Sequence, residues 1–235
     1  MKQFKLNIKN IPALVLGLPS DKLYIFIHGQ GGQKEDAFLF AELASNHNYQ
    51  VLSIDLPEHG ERKNESTKFT PWDIVPELLE VFSYAQVYWK DISILANSIG
   101  AWFSLLAFKN QHIKNCIFIS PLLDMAPIIK NMMQFDKISE KELYDKKFIT
   151  TSFGQELSLD YFLYTKNNPI KKWPFPTDIL YPENDHIVDY IIVDTFSKKF
   201  KSNVTIAKNF EHWFHTEEQL SFLKNWLSQK LETHI

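Results

Sequence analysis

Ser98 stands in Ala96-Asn97-Ser98-Ile99-Gly100, directly after the apolar run Ile92–Leu95 and before an amphipathic stretch. A serine hydroxyl becomes a useful nucleophile only when a neighbouring base takes its proton. A serine at a sharp strand-to-helix turn is lifted clear of the sheet, where a carbonyl can reach it. Such a turn brings two backbones close together, so the residues two before and two after must be small. Gly100 meets that demand, and Ala96 exceeds glycine by one methyl. A helix opening at Ile99 aims its free N–H and its positive end at any oxyanion beside Ser98. Ile99 is therefore a candidate oxyanion donor. Taken alone, the pattern also reads as an ordinary helix cap at Ser98.

Two further loops follow apolar runs. The first is His28-Gly29-Gln30-Gly31-Gly32, after Leu23–Ile27. Its glycines permit a turn that β-branched residues cannot make. It lacks the Lys-Ser/Thr of a phosphate loop and the third glycine of a dinucleotide fingerprint. For acyl transfer, a backbone N–H from this loop completes an oxyanion hole, and Gln30 is the candidate donor. His28 reads as a loop hydrogen-bonding group and not as the base. The second is Asp55-Leu56-Pro57-Glu58-His59-Gly60, after Val51–Ile54. It reads as a turn. The Asp55, Glu58 and His59 set lacks further matched ligands, so no metal site is expected.

In order and spacing, the loops at 28–32 and 55–60 and the elbow at 96–100 resemble those of the α/β-hydrolase superfamily, small bacterial serine hydrolases in particular. The departures are Ala96 for the first elbow glycine and Glu58 where glycine is usual. The resemblance implies an acid and then a histidine downstream of the serine. Among the histidines, His212 lies in Lys208–Phe214, ahead of the last helix and followed by Trp213, as the family's catalytic histidine commonly is. His215 is the alternative, while His112 and His234 read as surface residues. Asp185, in Pro182–Val188, matches the family's acid position, with Glu183 and Asp189 as alternatives. Asp124 matches a rarer one but reads better as a helix cap. The implied activity is two-step hydrolysis of a small, apolar carboxylic ester through Ser98, His212 and Asp185. Trp102 and Trp213 are candidate substrate contacts. A thioesterase, amidase or C–C hydrolase would use the same triad, and a non-catalytic binding module is the reading from another class.

The elements that must hold these residues alternate between strands and helices. Strands are expected near 3–9, 12–17, 23–27, 51–54, 92–95, 116–119, 179–181 and 204–206. Helices are expected near 35–46, 70–88, 98–109, 188–200 and 216–231. Alternating β and α units imply a mostly parallel sheet with helices on both faces. Residues 121–175 break the rhythm with helical patterns near 125–134, 139–146 and 158–167. That stretch reads as a small helical cap inserted into a single α/β domain spanning 1–235. Its apolar residues, Leu122 to Tyr164, are expected to be mostly core, with some facing the site and favouring an apolar acyl or alcohol group.

Composition narrows the function classes. The 235 residues are 45% hydrophobic and 23% charged, which suits an ordered domain with a sizeable core. A net charge of -3 and short, dispersed lysine pairs give no nucleic-acid footprint. The one cysteine, Cys116, sits in an apolar run and reads as a buried thiol. No signal peptide and no membrane-spanning run is evident, so a cytoplasmic location is expected. The expected partner is a small-molecule ester, with no cofactor, nucleic acid or membrane; no segment specifies an oligomeric state.

Overall fold

The computed structural model describes residues 1–234. Along the chain, β1 (Gln3–Ile8), β2 (Ile11–Leu16) and β3 (Lys22–Ile27) precede α1 (Phe38–Asn46). Next come β4 (Tyr49–Ile54), α2 (Pro71–Tyr88), β5 (Asp91–Asn97), α3 (Ile99–Phe108) and β6 (Cys116–Ile119). Then follow α4 (Met125–Phe135), α5 (Glu140–Lys146), β7 (Phe148–Thr150), β8 (Glu156–Ser158) and α6 (Leu159–Asn167). The chain closes through β9 (Thr177–Pro182), α7 (Tyr190–Phe200), β10 (Asn203–Ala207) and α8 (Glu217–Thr233).

Eight strands form one sheet in the order β1-β2-β4-β3-β5-β6-β9-β10. It is parallel from β4 to β10, and β2 joins antiparallel at one edge. β3 shows why. Leu23, Ile25 and Ile27 enter the core shared with α2, α3 and α7. Tyr24 and Phe26, on the opposite face, enter the core shared with α1 and α8. A strand buried on both faces needs apolar residues at every position, as its run has. Every residue of α3 is buried, so the elbow helix is central to one layer. Cys116 is fully buried and burial raises its thiol far above the ordinary value. No helix among the described residues is long and apolar enough to cross a membrane.

Two expectations need correction. Residues between β6 and β9 are not purely helical, because β7 and β8 pair antiparallel there. Three-residue strands are too short to show a period of two. The turn between them carries Gly154 at φ +85°. His234 is not a free surface residue. Its side chain is 10% exposed and its ring bonds both the Tyr24 hydroxyl (2.9 Å) and the Asp178 carboxylate (2.9 Å). Tertiary contact draws in a residue that follows the polar pair Glu232-Thr233 in sequence.

A buried charge braces the loop after β4. Lys34 is 2% exposed, and its ammonium lies 2.7 Å from Asp55 and 2.8 Å from Glu61. Burial alone would lower the lysine pKa, but hydrogen bonds to Asp55 and Glu61 hold it above the ordinary value. Asp55 also accepts the Lys34 and Glu61 backbone N–H groups, so both its oxygens are engaged. Gly60 is required beside it, since a Cβ there would lie 2.2 Å from the Asp55 carboxylate. Removing one partner of a buried pair leaves the other unpaired, at about 3–5 kcal/mol. Lys34→Met should therefore lower the melting temperature by roughly 6–20 °C. Calorimetry showing a shift under a degree would contradict this.

Candidate active site

Ser98 is the single residue between β5 and α3, at φ 50°, ψ −124°. That backbone region is costly for a residue with a Cβ, by about 1–3 kcal/mol. Fixed partners hold it there: Ser98 N–H donates to Ile119 O (3.0 Å), and Leu122 N–H donates to Ser98 O (3.1 Å). A Cβ on Gly100 would lie 2.6 Å from both the Ile27 and His28 carbonyl oxygens, so only glycine fits. Ala96 is fully buried on β5 between Ile27 of β3 and Phe118 of β6.

The hydroxyl of Ser98 is 2.9 Å from Nε2 of His212. Nδ1 of His212 is 2.7 Å from Oδ2 of Asp185. The other oxygen of Asp185 accepts from Ile187 N–H (2.8 Å) and Val188 N–H (3.0 Å). The His212 and Asp185 side chains are almost wholly removed from solvent, at 1% and 0% exposure. Each alternative acid is engaged elsewhere: Asp124 caps α4, Glu183 accepts from Asn209 N–H, and Asp189 accepts from Asn131. The ring of His215 faces the Trp213 carbonyl oxygen at 2.9 Å. None of these four groups hydrogen-bonds His212 or Ser98 among the described residues.

Ser120 is a residue that sequence reasoning missed. It follows β6 at φ 46°, and its hydroxyl donates to His212 O at 2.8 Å. It thereby anchors the loop carrying His212 to the centre of the sheet. Only its place at the end of a strand beside β5 signals this.

The glycine loop runs against the nucleophile, since a Cβ on Gly29 would lie 3.0 Å from Ser98 Cβ. Among the described residues, neither the Gln30 N–H nor the Ile99 N–H has a hydrogen-bond acceptor. Two imidazoles hold the loop in place. His59 Nε2 accepts from Gly31 N–H (2.9 Å), while its Nδ1 faces Pro57 O (2.8 Å). His28 Nε2 accepts from Leu56 N–H (3.0 Å), while its Nδ1 faces Gly29 O (2.7 Å). Each must be neutral to accept at Nε2. The expected bond of His28 within its own loop is present, and the one to Leu56 ties that loop to the next.

Burial, opposed by the bond to Gly29 O and helped by the nearby Lys34 charge, pushes the His28 pKa down from 6.5 to about 4. The unfolded chain takes up a proton on His28 near pH 6.5, whereas the folded chain resists until about pH 4. Stability should therefore fall as the pH drops from 6.5 toward 4, by ~3 kcal/mol from this group. Urea titrations across this window should show that loss, and it should shrink in His28→Gln. An unchanged slope in the variant would remove His28 as its source.

The two tryptophans differ. Trp213 is 58% exposed, and its ring meets that of His212 edge-on at 5.2 Å. It is open to a ligand beside the imidazole. Trp102 is 1% exposed beneath Tyr161, stacked at 5.8 Å. Tyr161 and Tyr164 also meet Trp72, which is 43% exposed. The exposed Trp72 and the two half-buried tyrosines thus form an aromatic cluster with the buried Trp102.

No protein-family model and no curated protein matches the chain. Solved structures do. Est1E from Butyrivibrio proteoclasticus, determined with ferulic acid bound, superposes with a TM-score of 0.78 at 20% identity, covering 98% of each chain. Mouse α/β hydrolase domain-containing protein 10 gives 0.78 at 14% identity over 99% of each chain. The Paleococcus ferrophilus monoacylglycerol lipase gives 0.71 at 14% identity over the full length of both. The fold is the α/β-hydrolase fold, as the sequence resemblance implies.

Proposed function

We propose that this chain, built on the α/β-hydrolase fold, is a serine hydrolase that cleaves a small, apolar carboxylic ester through an acyl-enzyme. The observation that carries the reading is the unbroken chain Ser98 Oγ–His212 Nε2, His212 Nδ1–Asp185 Oδ2, at 2.9 and 2.7 Å. With Nδ1–H donating to Asp185, Nε2 is free to take the Ser98 proton as the hydroxyl attacks the ester carbonyl. The carbonyl oxygen gains negative charge, which the free N–H groups of Ile99 and Gln30 receive. The imidazolium formed beside Asp185 then protonates the departing alcohol. Water, deprotonated by the same imidazole, attacks the acyl-enzyme and releases the acid and Ser98. Trp72, Tyr161 and Tyr164 supply apolar surface for one half of the ester, and Trp213 lies at the rim. The reading draws support from two neighbours of the fold: one holds ferulic acid, a carboxylic acid, and one is a monoacylglycerol lipase.

A fluorophosphonate tests the nucleophile directly. At neutral pH the probe should add once, with the modified peptide mapping to Ser98, and labelling should fail in His212→Ala. Probe recovered on another serine, or equal labelling without His212, would end the proposal.

A further inference from the structure

Beyond the glycine loop that packs against Ser98 lies a polar cavity. It has a volume of about 370 Å³ and is lined by the glycine loop from Gln30 to Gln33, by Glu58–Gly60, and by Lys63 and Phe69. Its wall begins at Gln30, the residue next to Gly29, whose backbone packs against Ser98. Among the described residues, the Gln30 amide and the Lys63 ammonium make no hydrogen bond or ion pair. Glu58 faces the same space at φ 64°, where a glycine would be relaxed. Its carboxylate is held by Lys68 (3.1 Å) and the Phe69 N–H (3.2 Å). The ring of Phe69 packs on His59 at 4.6 Å and on Phe103 of α3 at 5.4 Å, giving the polar cavity one apolar face.

An apolar group seated there would strip water from an amide, an ammonium and a carboxylate and return nothing. An anion would gain from Lys63 but lie beside Glu58. A hydroxylated group satisfies both kinds of partner: it donates to Glu58 and the amide oxygen, and accepts from Lys63 and the amide nitrogen. We propose that this cavity is the subsite for a hydroxyl-bearing part of the substrate, distinct from the aromatic cluster of Trp72, Tyr161 and Tyr164. The inference rests on Ser98 acting as an ester-cleaving nucleophile. The hydroxyls belong either to the alcohol or to the acyl half, and matched esters separate the two.

The test compares kcat/KM for glyceryl butyrate with propyl butyrate, and for ethyl 3,4-dihydroxybutyrate with ethyl butyrate. Monoethyl succinate serves as the anionic control. One hydroxylated ester should exceed its plain counterpart by about tenfold, the value of one or two added hydrogen bonds. That ratio should fall to within about twofold in Lys63→Ala and in Glu58→Gly, the latter a residue its backbone favours. Which pair shows the ratio assigns the hydroxyls to the alcohol or the acyl half. The subsite is overturned if neither hydroxylated ester is preferred, if the succinate is preferred to both, or if the ratio survives both substitutions. Rapid cleavage of p-nitrophenyl butyrate with no hydroxyl preference would remove the subsite alone. Absence of all hydrolysis, with no fluorophosphonate on Ser98, would remove the hydrolase reading with it.

Discussion

Ser98→Ala should lower kcat on p-nitrophenyl butyrate by about 10⁶, leaving only the residual rate that oxyanion donors and binding supply. The size follows from the mechanism. Without the hydroxyl there is no acyl-enzyme, and His212 and Asp185 have nothing to activate. Knocking out a serine nucleophile costs about as much as removing the whole triad. Substrate should still bind, so a non-cleavable analogue should keep its Kd. A companion variant separates chemistry from fold. Ser98 stands at φ 50°, ψ −124°, a conformation glycine tolerates better. Ser98→Gly should abolish activity as fully while stabilising the protein by about 1 kcal/mol through relief of strain. A Ser98→Ala protein that keeps even a thousandth of the activity, once contaminating esterase is excluded, would sink the assignment. So would a Ser98→Gly protein that melts well below the parent, since the strain would then lack its functional cause.

Asp185→Asn should reduce kcat by about 10⁴, the loss seen when an analogous triad carboxylate becomes an amide in another serine hydrolase. The surroundings of Asp185 dictate why an isosteric change is so damaging here. One carboxylate oxygen accepts two backbone N–H groups, from Ile187 and Val188. In the variant the amide oxygen must stay there, because an NH₂ facing two N–H donors would be unsatisfied. The NH₂ is then turned to His212, at the place now occupied by Oδ2, 2.7 Å from Nδ1. Nδ1 can only accept from it, so the ring proton moves to Nε2 and faces the Ser98 hydroxyl. That tautomer cannot take the serine proton. KM should change little, and circular dichroism should not change. Steady-state rates within tenfold of the parent would mean that Asp185 does not orient His212.

Much of the site is legible in local sequence because local backbone constraints write it there. A strained strand-to-helix turn needs small residues around the serine, hence Ala96 and Gly100. A buried parallel strand needs apolar residues on both faces, and Leu23–Ile27 has them. The run feeding the Asp185 loop is of the same kind, and the shorter edge strand Asn203–Ala207 leads into the His212 loop, so the loops' order along the chain is visible. The helix start at Pro71 and the capping role of Asp124 are equally local.

What only tertiary structure decided depends on which loops meet. The local setting favours His212 over His215, but it does not bring either imidazole to Ser98. The sheet order β5-β6-β9 does so, together with the hydrogen bond from Ser120 to His212 O. Asp185, Glu183, Asp189 and Asp124 are chemically alike, and only one lies within hydrogen-bonding distance of His212. The burial of Lys34 against Asp55 and the capture of His234 by Asp178 and Tyr24 are invisible to hydropathy, because a charged residue enters the interior only where a distant partner meets it. Trp102 reads as a substrate contact by its place one turn after Ser98, yet Tyr161, far along the chain, covers it. Sequence spacing governs what the backbone can do within a turn or an element. Contacts across tens of residues obey the packing of the whole sheet, and it is those contacts that gather Ser98, His212 and Asp185 into one line.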